Sequence, residues 1–196
     1  MNTKITTDLI RIWDDFKKGD KEAFSVLYET YFDTLYRYGI KFVMDENIVK
    51  DCIQDLFIKI YNNRASLSST NSPKFYLLLS LKNLIIDYLS KYNRITYLSP
   101  EDLPFFITYQ YQEEDDSNEI DDEIKNKFDK VISLLSPRQK EALYLHFQLE
   151  LSYEEVSKLL DINYQSLRNL IHRSISKVRE QMDLSLFMMV FIKVIT

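Results

Sequence analysis

Residues 152–177 read SYEEVSKLLDINYQSLRNLIHRSISK, and the fold turns on how that stretch is parsed. Ser152 and Glu155 stand at capping-box spacing, where hydroxyl and carboxylate satisfy each other's free backbone amides at a helix start. Val156, Leu159 and Leu160 give that helix an apolar face. The period breaks at Asp161-Ile162-Asn163, where Ile162 can plug the space between two helices, and resumes from Tyr164 to about Met182. In the second helix Leu167, Leu170, Ile171, Ile175 and Val178 form a stripe for burial. The other positions, Gln165, Ser166, Arg168, Asn169, His172, Arg173, Ser176 and Lys177, are polar. Two amphipathic helices about three residues apart make a helix-turn-helix, in which the start of the second helix reaches base edges. These side chains suit a major groove, since Arg pairs with guanine O6/N7, Asn or Gln with adenine N6/N7, and Lys or Ser with phosphate. Read without DNA, the same pattern is a helical hairpin with a solvated polar face.

Upstream, Ser136-Pro137 supplies an N-cap followed by proline at the first helical position, and Ile124, Phe128, Val131, Ile132 and Leu135 share one helical face. Before them, 93–122 holds no sustained period. It contains Pro100, Pro104 and an acidic run, Glu113, Glu114, Asp115, Asp116, Glu119, Asp121, Asp122 and Glu123. A structureless stretch of that length is unusual inside one compact domain. The N-terminal half returns to helical spacing in four stripes. Leu9, Ile10, Trp13 and Phe16 come first, then Phe24 to Leu35, then Ile48 to Ile60, then a strongly apolar helix from Phe75 to about Tyr92. A loop by composition, 65–73, precedes the last. The reading is all-α, with two helical domains, 1–95 and 123–183, joined by a flexible acidic linker, 96–122, and followed by an apolar tail, 184–196.

Composition agrees. Two glycines, Gly19 and Gly39, and four prolines among 196 residues argue against a strand-rich fold with many tight turns. Cys52, the one cysteine, forms no internal disulfide and sits on an apolar stripe as a core residue. His146, between Leu145 and Phe147, reads as structural. No metal-ligand spacing and no glycine-rich phosphate loop occurs, so neither cofactor, metal nor catalytic residue is expected. The N-terminus lacks a signal-peptide pattern, and the tail is too short to span a bilayer, so a cytoplasmic protein without stable membrane insertion is expected. The net charge of −5 is uneven: setting aside the eight acids of 113–123 leaves 22 acids against 25 bases. Local basic faces therefore remain open to nucleic acid.

Longer stretches carry a resemblance. Leu134-Leu135-Ser136-Pro137-Arg138-Gln139-Lys140-Glu141-Ala142, Leu151-Ser152-Tyr153-Glu154-Glu155-Val156, Ser166-Leu167-Arg168-Asn169-Leu170-Ile171-His172-Arg173-Ser174 and Lys177-Val178-Arg179 resemble region 4 of the extracytoplasmic-function (ECF) sigma factors, within the sigma-70-like family. Gly19-Asp20-Lys21-Glu22-Ala23-Phe24, Asp51-Cys52-Ile53-Gln54-Asp55-Leu56-Phe57 and Tyr76-Leu77-Leu78-Leu79-Ser80-Leu81-Lys82-Asn83-Leu84-Ile85-Ile86-Asp87 are similar to region 2 of the same family. Three positions depart from the pattern. Ser157 replaces a usual small alanine, Asp161 stands where glycine often opens the turn, and Glu150 where glycine is common. A positive φ is uncommon for either acid.

The resemblance implies promoter-specific transcription initiation, with core RNA polymerase performing the chemistry. Region 4 would read the −35 element through Gln165, Ser166, Arg168, Asn169, His172, Arg173 and Lys177, and touch the polymerase β flap. Region 2 would bind the β′ clamp helices through Asp51, Gln54, Asp55 and Lys59, which lie off the Ile53/Phe57/Ile60 stripe. It would hold the melted −10 strand with Lys74, Lys82, Asn83 and Asp87, while Lys91 and Arg94 follow phosphates; single-stranded bases are gripped by stacking, pockets and a basic path. The acidic linker would thread the polymerase RNA-exit path as a nucleic-acid mimic. The tail, an extra beyond the usual family end, is expected to pack on its own domains because exposed apolar surface is disfavoured, or else to help an inactive arrangement or dock a partner such as an anti-sigma factor. Two other classes fit the helix-turn-helix alone: a DNA-binding regulator needing no core polymerase, and a helical protein-interaction adaptor.

Overall fold

The structure is a computed structural model that describes residues 2–92, 103–107 and 119–194. Among these residues there is helix, turn and coil but no strand, and the chain divides into two units, Met1–Tyr97 and Leu98–Thr196. The all-α, two-domain expectation therefore holds.

The first unit consists of α1 (Asn2–Lys17), α2 (Lys21–Gly39), α3 (Glu46–Asn62), a 3-10 turn (Arg64–Ser66) and α4 (Pro73–Tyr92). The starts of α2, α3 and α4 each have a side chain to receive free amides. Asp20 accepts from Glu22 N and Ala23 N, Asp45 from Asn47 N and Ile48 N, and Ser72 Oγ from Phe75 N. Both glycines are explained by position. Gly19, at φ 101°, closes α1, with its own amide bonded to Phe16 O and the Asp20 amide to Asp15 O, the paired bonds of a left-handed helix end. Gly39 ends α2 where a Cβ would come within 2.7 Å of Val49 Cγ1, so any side chain would push α3 away. The core runs through all four helices: Trp13 and Phe16 from α1, Leu27, Leu35 and Tyr38 from α2, Ile53 and Leu56 from α3, Leu77, Leu81 and Ile85 from α4.

The second unit holds α5 (Glu119–Leu134), α6 (Pro137–Leu143) running into one π turn (Tyr144–Gln148), α7 (Tyr153–Leu159), α8 (Tyr164–Gln181) and α9 (Leu184–Val194). Capping boxes open α6 through Ser136/Gln139 and α7 through Ser152/Glu155. In α8 the fully buried line is Leu167, Ile171, Ser174 and Val178; Leu170 and Ile175 flank it half-buried. Ser174 tolerates the core because its hydroxyl donates to Leu170 O at 2.8 Å. His146 is structural, its Nδ1 2.9 Å from Leu151 O and its ring against Tyr153.

The linker expectation changes. The linker is shorter and less free than 96–122: α5 already begins at Glu119, and within 103–107 Leu103, Phe105 and Ile107 are buried while Phe106 is exposed. The Phe105 ring lies 5.6 Å from that of Tyr144 in the π turn. Pro104 fixes its own φ and biases Leu103 toward extended backbone, so alternate side chains point inward. Burying three such side chains stabilises by about 1.5–3 kcal/mol each, and fixing five residues costs about 1–2 kcal/mol each. The two nearly cancel, which makes the strap marginal. Residues 113–116 of the acidic run lie outside the described residues. The tail, by contrast, is core: α9 buries Phe187, Val190 and Phe191, with Phe187 stacked on Phe128 of α5 at 5.6 Å.

Phe187→Ala is expected to lower the stability of the second unit by about 3–5 kcal/mol, the usual cost of emptying a buried phenylalanine site. Trp13, the only tryptophan, reports the first unit alone. In urea, helix content followed by circular dichroism should split into two transitions, with the Trp13 fluorescence midpoint unmoved.

Candidate nucleic-acid interface

The helix-turn-helix presents α8 as the sequence pattern implies. With Leu167, Ile171, Ser174 and Val178 turned inward, Gln165, Arg168, Asn169, His172 and Arg173 are exposed and Ser166 is half-buried. Asn163 caps α8 by accepting from Ser166 N at 2.7 Å, and the Gln165 and Asn169 amides bond at 3.2 Å. From α6, Arg138 donates to Leu160 O at 2.7 Å, fixing the end of α7 ahead of the turn. Sequence reasoning missed Tyr164, 45% exposed at the first position of α8, although that position is the one nearest base edges in such a motif.

Lys177 is exposed on the same helix, but its ammonium is engaged within the unit. Its ammonium donates to Leu134 O at 3.0 Å and to Gln139 Oε1 at 3.2 Å. It ties the end of α5 to the start of α6, a structural duty that a lysine near free helix carbonyls commonly performs.

In the first unit Asn83 and Asp87 are exposed on one side of α4 and line a cleft of about 180 Å³ with Tyr76, Lys59, Asn63 and Leu67. Lys74 is half-buried at the start of that helix, and Lys91 is exposed near its end; Arg94 lies outside the described residues. Lys82 does not belong to the cleft. It follows Leu78 by four residues and shares the buried face of Leu78, Leu81 and Ile85, so it is only 4% exposed, with Nζ 5.8 Å from the Phe42 ring centroid. The loop beyond the 3-10 turn is held from behind by α1: Trp13 Nε1 donates to Ser68 O at 3.3 Å and Lys17 Nζ to Ser69 Oγ at 3.0 Å.

Asp51, Gln54, Asp55 and Lys59 are all exposed on α3. Beside them lies a second, larger feature that the sequence stripes concealed. Phe24, Tyr28 and Phe32 of α2 face Phe57, Ile58 and Tyr61 of α3 across an open groove of about 720 Å³, with Gln54 and Lys50 at its edge. Ile58 is 50% exposed and Tyr28 39%, so the groove is aromatic surface rather than core. Cys52 faces the interior; burial, then Asp55 and Asp51, push its thiol above the ordinary value, which makes it a poor nucleophile.

Comparison with known proteins decides what these surfaces belong to. The model of Sigma-70 region 2 matches residues 27–95 and that of Sigma-70, region 4, matches 125–178. Together they cover well over half of the chain, in the order that family uses. This chain belongs to the sigma-70 family, in its ECF class. It is 24% identical to the ECF RNA polymerase sigma factor SigX of Bacillus subtilis over 84% of this chain and 86% of that one. It is 26% identical to SigM of the same organism over 78% and 91%. The fold is that of the sigma factor RpoE of Bartonella quintana, solved with the anti-sigma factor NepR, at TM-score 0.57 and 18% identity, covering 81% of this chain and 95% of that one. The chain is thus a promoter-recognition subunit of RNA polymerase and not an enzyme. A region-2 unit ahead of the helix-turn-helix disfavours both the free-standing regulator and the adaptor.

In this sigma factor the two acids that depart from the family pattern adopt left-handed backbone, Glu150 at φ 54° and Asp161 at φ 51°. At Asp161 the chain makes the same paired bonds as at Gly19: Asp161 N to Lys158 O at 3.3 Å and Ile162 N to Ser157 O at 3.0 Å. Left-handed backbone costs a residue with a Cβ roughly 1–2 kcal/mol, and glycine returns part of that as unfolded-chain entropy. Asp161→Gly is therefore expected to stabilise the second unit by about 0.5 kcal/mol, raising its melting temperature by a few degrees. Calorimetry of wild type against variant checks it.

Proposed function

We propose that this sigma factor divides promoter recognition between its units. The second reads −35 duplex with Gln165, Arg168, Asn169, His172 and Arg173, with Ser166 near a phosphate; Tyr164 joins them at the helix start. The first holds the melted −10 strand at the α4 cleft, where Asn83 and Asp87 bond a flipped base, Tyr76 offers a ring, and Lys74 and Lys91 accompany the phosphates. Core polymerase docks its β′ clamp helices on the α2–α3 groove, with Asp51, Gln54, Asp55 and Lys59 as its polar margin, and its β flap meets the second unit. One observation carries the division: Arg168, Asn169, His172 and Arg173 stand exposed on the second helix of a capped helix-turn-helix.

The groove fits a protein partner because buried aromatic anchors ringed by polar groups dominate binding energy at interfaces. An anti-sigma factor, the kind of partner bound in the RpoE structure, would compete for it, keeping the free sigma factor silent. No described helix is long and apolar enough to cross a membrane, and the proposed place of work is the cytoplasm, with the chromosome.

Adding the protein to sigma-free core polymerase on fragments of its own genome should produce transcripts absent without it, and their start sites deliver the promoter. Arg168→Ala is expected to weaken initiation about 5- to 150-fold and to relax preference at one −35 position, the loss of a bidentate base contact. Equal loss for every base at every −35 position would assign Arg168 to phosphate instead. Ile58→Glu is expected to weaken core binding about tenfold or more while −35 duplex binding stays intact; unchanged core affinity would remove the groove from the polymerase contact.

A further inference from the structure

α1 lies outside the part of the chain that the region-2 family model matches, yet it touches the proposed −10 reader at two points. Trp13 is fully buried, and its indole meets the Tyr76 ring edge-on at 5.1 Å. Tyr76 is itself a wall of the α4 cleft. The same indole donates its N–H to Ser68 O in the loop that leads to α4. One turn further along α1, Lys17 bonds Ser69 Oγ, and Asp14 lies 3.5 Å from that hydroxyl. Neighbouring loop residues are fixed locally, with Ser72 N bonded to Thr70 Oγ1.

We propose that Trp13 and Lys17 form a clamp by which α1 sets the shape of the −10-reading cleft, making Trp13 a positioning residue for base discrimination. Its ring holds Tyr76 from behind while its N–H fixes the backbone of the opposing loop, so one side chain sets the width between them. A packing role alone needs only the apolar rings. The indole N–H on a loop carbonyl, joined by a second bond from the half-buried Lys17, is what distinguishes a clamp from a core residue. The proposal rests on the −10 reading above.

Trp13→Phe keeps an aromatic ring against Tyr76 and Phe16 but removes the donor together with the volume of the indole's second ring, whereas Lys17→Ala removes only the second bond and leaves the buried ring in place. Both are tested in the full chain with core polymerase, on a promoter recovered as above and permuted base by base through its −10 element. The expected result is that the ratio of transcription between the best base and its substitutes falls about 2- to 10-fold in Trp13→Phe, the range for loss of one hydrogen bond. Lys17→Ala should fall in the same direction by less with its melting temperature near wild type, and −35 duplex binding should stay unchanged in both variants. An unchanged ratio in both variants, or an equal drop for all bases, overturns the clamp. If Trp13→Phe fails to fold, the ratio in Lys17→Ala decides. Asn83→Ala separates the two levels: if it loses discrimination while the α1 variants keep theirs, only the clamp is wrong. If it also discriminates as wild type, the cleft is not the reader.

Discussion

The corner at Asp161 is the constraint on which the helix-turn-helix depends. α7 must stop, reverse and deliver α8 with its first turn outward, and the chain does this in one left-handed residue whose flanking amides bond back to Lys158 and Ser157. Three such corners occur among the described residues, at Gly19, Glu150 and Asp161, and glycine occupies only the first. The other two are strained positions held by what surrounds them. Arg138 ties Leu160 O on one side of the Asp161 corner, and Asn163 caps α8 on the other. Ile162, next after that corner, is half-buried. Local strain is tolerated because the packing of α6, α7 and α8 over-determines the turn.

Much of this is legible from residue order. Capping boxes at Ser136/Gln139 and Ser152/Glu155 and apolar stripes at helical period are local signals, and the helices begin and end where those signals stand. What escapes is non-local. Leu103, Pro104, Phe105, Phe106 and Ile107 resemble linker because five residues form no period long enough to assign, and the burial of Phe105 involves Tyr144 in the π turn, far along the chain. The tail poses the opposite difficulty: its composition announces burial but not against what, and the answer is Phe128 on α5. Ser174 carries a polar side chain on a buried line, and residue order does not show that its hydroxyl has Leu170 O to bond.

Charge misleads most where the position of a long side chain's head is inferred from its type. Lys82 and Lys177 carry the residue type a phosphate contact requires. One lies at i+4 from Leu78 on the inward face of α4, and the other has free helix carbonyl and amide oxygens within reach. Exposure of a Cα on a helix surface does not fix where a four-carbon stem takes its ammonium. Arg168, Asn169, His172 and Arg173 stand exposed on α8, and the bonds Asn169 and Arg173 make, Gln165 to Asn169 and Arg173 Nε to Asn169 O, stay within that helix. The aromatic groove is hidden for a related reason: Phe24, Tyr28, Phe32 and Phe57 repeat at helical spacing whether they face a core or a partner, and period alone does not distinguish the two.

The remaining question is how a chain of net charge −5 grips DNA with so few cations at its −35 reader. Phosphate neutralisation supplies most non-specific affinity, and it scales with the number of Lys and Arg contacts. With Lys177 bonded to Leu134 O and Gln139 Oε1, the exposed arginines of α8 are Arg168, Arg173 and Arg179, few for tight binding alone. A sigma factor does not bind alone. Once its first unit is docked on polymerase, the second meets DNA as a tethered ligand, and linkage converts a weak contact into a strong one without any new contact. Weakness then becomes useful. A reader with ample phosphate contacts would sit on any duplex, whereas one that depends on tethering recognises a promoter only in the company of polymerase. Acidic composition and a sparse basic face are therefore consistent with discrimination, since under the proposed division the assembly supplies the affinity and a handful of α8 side chains the choice of sequence.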